Sequence, residues 1–150
     1  MHKNDLNISK NIEKPLRFSK YTWIVIGILS LAGIIRFYYF PFEIPLSSDA
    51  LYYFWYSSDI VQIEKLPNDW TPANNGWPIF VSLFFSSFNI NDIEILMSIQ
   101  RGLSVLISII TSISVYFLCK KFVSNKFAII GVALIAFDPR LMINSFLGVT

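Results

Sequence analysis

The sequence predicts an all-α, polytopic membrane protein, and three observations carry that reading. Only 15% of its 150 residues are charged, against roughly 25% in soluble domains, too few to cover a water-soluble fold of this size. Apolar runs long enough to cross a bilayer recur along the chain. The net charge of the segments flanking those runs alternates in sign. The overall formal charge of +2 is too small to suggest a nucleic-acid partner. Cys119 is the one cysteine, so no internal disulfide can form, and its place beside Lys120 at the end of an apolar run reads as inert. His2, the one histidine, lies in a polar tail and does not suggest a metal site.

Residues 1–20 form that tail, with Lys3, Lys10, Lys14, Arg17 and Lys20 against two acids. The following run, "YTWIVIGILSLAGIIRFYYF" over 21–40, spans about 30 Å as a helix. A signal peptide is the rival reading. The run lacks a small-x-small cleavage site and exceeds a signal core in length, which favours an uncleaved anchor. Phe37, Tyr38, Tyr39 and Phe40 form an aromatic belt at its far end.

Residues 41–75 read as a loop punctuated by Pro41, Pro45, Pro67 and Pro72. Within it, 49–64 lacks Pro and Gly and predicts about four helical turns. Ser48 or Asp49 is placed to cap its start. Tyr52, Tyr53, Phe54, Trp55 and Tyr56 encircle this helix, which suits a membrane interface better than open water. The next apolar segment, "GWPIFVSLFFSSFN" over 76–89, is short, with Pro78 suited to a first turn and Ser82, Ser86 and Asn89 on one polar stripe. Its core, 77–88, predicts a helix lying in the interface. The alternative is a crossing helix running past Asn91, which would bury Asp92 and Glu94 at high cost.

A second span is clear at 102–119, "GLSVLISIITSISVYFLC", followed by Lys120, Lys121 and Lys126. A third covers 127–150 and is interrupted at Asp138-Pro139-Arg140, where a kink or opening is expected. The N-terminal tail and residues 119–126 each carry net +3, whereas 41–94 holds seven acids and one Lys, net −6. The positive-inside rule puts both basic segments in the cytoplasm and the acidic one outside. Three crossings satisfy this only if 77–88 does not span.

Asp49 is the leading candidate for chemistry. A carboxylate at the start of an interfacial helix sits where a substrate has its tail in lipid and its head in water, and can accept a proton from an acceptor hydroxyl. The alternative is that it only caps the helix. Asp59, ten residues on, would not pair closely with it. Arg36, late in the first span, and Arg101, opening the second, can each snorkel to the interface or hold a lipid phosphate. Tyr53 joins them as a candidate for substrate or lipid-phosphate binding. The sequence contains no glycine-rich phosphate loop, metal-ligand cluster or Ser–His–Asp set.

The order of "RFYYF", "SSDALYYFWYSSDI", "NNGWPIFVSLFFSSF" and "AFDPRLMINSFLGVT" resembles the N-terminal part of the polytopic glycosyltransferases that use polyprenyl-phosphate-linked sugars. This GT-C superfamily includes protein O-mannosyltransferases and lipid A aminoarabinose transferases. Its members place an acid at the start of a juxtamembrane helix in the first outer loop, and Asp49 matches that position. The resemblance implies that 21–150 begins a membrane-embedded domain continuing beyond Thr150, where a further outer acid would lie. It implies inverting sugar transfer from a lipid-linked donor to a protein or glycolipid acceptor at the outer face of the cell membrane. Membrane lipids would be its surroundings. No cofactor is identified, and metal dependence stays open. Two departures stand: many relatives have Asp-Glu where this chain has Asp49-Ala50, and the metal-binding acids of the oligosaccharyltransferase branch are absent from this portion. The alternative is a transporter or lipid-processing scaffold, which would carry paired polar breaks in two internal repeats.

Overall fold

A computed structural model describes residues 19–42, 46–68, 75–88 and 92–148. Most of the predicted tail, Pro45, Pro72 and Asn89 lie outside the described residues. Those that are described form six helices and no strand.

Helix α1 covers Lys20–Tyr38, and Ser19 starts it by accepting the Tyr21 N–H at 3.4 Å. Trp23, Ile24, Ile26, Leu31 and Ile34 face outward, as suits a helix surrounded by lipid, and Phe37, Tyr38 and Tyr39 stand exposed at its end. Helix α2 covers Ser48–Ile63 and α3 covers Gly76–Phe88. At 13 residues, α3 is about 20 Å long, short of a hydrocarbon core of about 30 Å.

Helix α4 covers Ile93–Phe122, far more than the predicted 102–119. Asp92 caps it, accepting the Glu94 N–H at 2.9 Å. Arg101 therefore lies inside the helix and does not open it. The acids that argued against a crossing helix here mark a helix start, where negative charge is favoured. Ser104, Thr111, Ser112 and Ser114 each donate to the carbonyl four residues back, so their hydroxyls are satisfied within the helix.

Helix α5 covers Asn125–Ala136 and α6 covers Pro139–Leu147, with a 44° bend between them. Asp138 accepts the N–H groups of Arg140 and Leu141 at 2.9 and 3.0 Å, and Pro139 fills the first turn. The expected interruption is thus one helix end followed at once by a capped helix start. By length and composition α1 and α4 can each cross a membrane, and the bent α5–α6 pair is a third candidate.

Two apolar clusters organise these helices. Val25 near the start of α1 packs with Tyr116 near the end of α4 and with Ala128 and Val132 on α5. The chain thus runs up, down and up, and Lys20, Lys120, Lys121 and Lys126 gather at one end. Ala128, Val132 and Ala136 repeat every four residues with no exposed surface, a small-residue face that lets α5 approach its neighbours closely. At the other end, Leu46, Ala50, Phe54, Trp77, Val81, Phe85 and Leu103 join α2, α3 and α4. Phe54 meets Phe85 edge-on at 5.5 Å. Ser57 Oγ lies within donating distance of Tyr53 O at 2.7 Å and Pro78 O at 2.9 Å, linking α2 to α3. Asp49, Asp59, Glu64, Asp92 and Glu94 all belong to this second end.

Candidate functional site

The first turn of α2 is built around Ser47. Its hydroxyl accepts the Ala50 N–H at 3.4 Å and donates to Leu147 O at 3.4 Å. Ser47 is therefore the cap, one residue before Ser48 and two before Asp49, the expected candidates. Asp49 lies in the first helical turn and is exposed. No hydrogen bond or ion pair engages its carboxylate among the described residues. Tyr53 follows four residues later, so it shares that face, and it is half-buried against the apolar cluster.

Beneath Asp49 the turn is anchored. Ala50 has no exposed surface, and its carbonyl accepts from Gln100 Nε2 at 2.9 Å. The same nitrogen donates to Gly148 O at 3.3 Å. Gly148 adopts φ +78°, ending α6 in the left-handed conformation that glycine accommodates. A Cβ there would lie 2.7 Å from Leu46 Cδ2 and 3.4 Å from Ala50 Cβ. One residue along α4, Arg101 Nε donates to Phe146 O at 2.7 Å and Nη1 donates to Pro41 O. Its guanidinium lies 5.8 Å from the Phe40 ring. The segment just after α1, the start of α2 and the end of α6 thus converge on Gln100 and Arg101 in the N-terminal third of α4.

Arg36 serves the other half of the broken helix. Its Nη1 donates to Ala136 O, the last residue of α5, at 2.9 Å, and to Ala32 O at 3.3 Å. Nε and Nη2 are buried with no partner among the described residues. Neither arginine snorkels: each is 1% exposed. Both bring positive charge to a helix C-terminus, where carbonyls lack intrahelical donors. The structure therefore groups Asp49, Tyr53 and Arg101 around the α2–α4–α6 junction and sets Arg36 at the bend. Among the described residues no three His, Cys, Asp or Glu side chains gather as a metal site.

No family model, curated protein or solved structure matches the chain.

Gln100 and Gly148 escape a reading of the sequence alone, because their partners lie about 50 residues away along the chain. One signal was available. A Gln-Arg pair within "ILMSIQRGLSVLIS" is costly at membrane depth unless both side chains find partners.

Proposed function

We propose that the protein transfers a sugar from a polyprenyl-phosphate-linked donor to a protein or glycolipid acceptor at the outer face of the cell membrane. The observation that carries this reading is that Asp49 is exposed while Ser47 supplies the cap. The carboxylate is thus not committed to holding the helix, and it stands on a short helix at the acidic end of the bundle. The positive-inside rule assigns the basic end to the cytoplasm and Asp49 to the opposite side. In the reaction, the acceptor hydroxyl attacks the anomeric carbon and passes its proton to Asp49. The carbon–oxygen bond to phosphate breaks, and polyprenyl phosphate leaves with the bonding electrons. Tyr53, one turn further along the same face of α2, is the substrate-binding candidate on that helix. Arg36 and Arg101 are the phosphate-side candidates. Both guanidinium groups are buried, Arg36 donating to Ala136 O and Arg101 to Phe146 O and Pro41 O, so the reading rests on Asp49 and not on them.

The test is Asp49→Asn in the complete protein. Asn keeps the size and loses the ability to take the proton. Because Ser47 is the cap, the fold should lose only about 0.3–1 kcal/mol of helix-dipole stabilisation. Sugar transfer from a radiolabelled polyprenyl-phosphate donor in membranes should fall by about 10²–10⁴-fold at unchanged abundance. Near-wild-type transfer by Asp49→Asn would end the catalytic assignment. The bent α5–α6 pair favours a second reading, a transporter, since broken helices line transport sites. Donor uptake into sealed vesicles without sugar transfer would support that alternative.

A further inference from the structure

We propose that Gln100 is the positioning residue for Asp49, an inference that rests on the sugar-transfer reading. Gln100 has no exposed surface. Its amide nitrogen holds Ala50 O at 2.9 Å, one residue from Asp49, and Gly148 O at 3.3 Å. Two carbonyls fix the orientation of the amide, because only the NH₂ end can face them. Oε1 is consequently turned away and left without a partner among the described residues. An apolar side chain would fill this site with no such unsatisfied atom. The two ties account for the amide: they set the first turn of α2 against α4 and α6. Ser47 and Arg101 make the parallel attachments to Leu147 and Phe146. The height and direction of the Asp49 carboxylate are therefore referred to α4, the longest helix, and not to the loop that precedes α2. Proton transfer is sensitive to such placement, since a shift of about 1 Å can cost about 10²-fold in rate.

Gln100→Met removes both donors and keeps the length and volume. Ala50 O, in the first turn of α2, keeps its intrahelical partner, so the helix itself should survive. In the complete protein, kcat should fall by about 10–100-fold, with KM for the polyprenyl-phosphate donor and membrane abundance unchanged. A second measurement does not depend on activity. With Cys119→Ser as background, spin labels at Asp49→Cys and Lys121→Cys report where the α2 turn sits relative to α4. Gln100→Met should broaden or shift that distance distribution. An unchanged distribution overturns the proposal, as does an unchanged kcat in an enzyme that transfers sugar. If the wild-type protein transfers no sugar, the functional reading fails, and the label distances still decide whether Gln100 holds the turn.

Discussion

Replacing Gly148 by Ala should destabilise the protein far more than the gain of one methyl group suggests. The residue sits at φ +78°, a conformation that costs an L-amino acid about 1–2 kcal/mol. The new Cβ would also lie 2.7 Å from Leu46 Cδ2. Leu46 is only 6% exposed, so it cannot swing aside freely, and overpacking of this kind costs about 1–3 kcal/mol. The expected total is about 2–5 kcal/mol. Leu46→Ala supplies the control. Alone it should cost about 2–5 kcal/mol by leaving a cavity. Combined with Gly148→Ala it removes the clash, so the double variant should be about 1–3 kcal/mol more stable than the sum of the two single losses. Unfolding of the purified protein in mixed micelles, titrated with SDS and followed by near-UV circular dichroism, measures all three. A Gly148→Ala variant within about 0.5 kcal/mol of wild type, the scatter of ordinary surface changes, would refute the left-handed turn. Strict additivity would refute the clash with Leu46.

Glu64 ends α2 at φ 57° without being glycine. Glu64→Gly should therefore stabilise the protein by about 0.5–1 kcal/mol, read as a higher SDS midpoint. Single cysteines at Ser87, on α3, and Ser124, before α5, should react with an impermeant maleimide from opposite sides of the membrane in a Cys119→Ser background. Labelling of both from the same side would overturn the proposed orientation.

Much of the bundle is legible in the sequence because lipid imposes a simple rule of length and polarity. The run of α1, the shortness of α3 and the break at Asp138-Pro139 all follow from it. The same rule misjudges the start of α4. Asp92, Glu94, Gln100 and Arg101 break the apolar run, so the span reads as beginning at 102. In the fold, Asp92 is a cap, while Leu96, Met97 and Ile99 pack on the α2–α3 cluster. At the candidate site, the prominence of Asp49 is local and readable. Its support is not, because Gln100 and Arg101 bond to carbonyls from residues 41, 50, 146 and 148. A carbonyl is present at every position, so no side-chain pattern announces which ones will be used. The shift of the cap from Ser48 or Asp49 to Ser47 is the ordinary uncertainty of a helix end.

The capping of α5 and α6 by Arg36 and Arg101 bears on how the protein is made. Synthesis runs from the N-terminus, so both guanidinium groups leave the ribosome well before Ala136 and Phe146, the carbonyls that will receive them. During that interval Arg36 has Ala32 O but not Ala136 O, and Arg101 has Pro41 O but not Phe146 O. If α1 and α4 cross a bilayer, neither can settle to its final depth cheaply until α5 and α6 arrive. The bent pair is then drawn into place by positive charges already waiting for it.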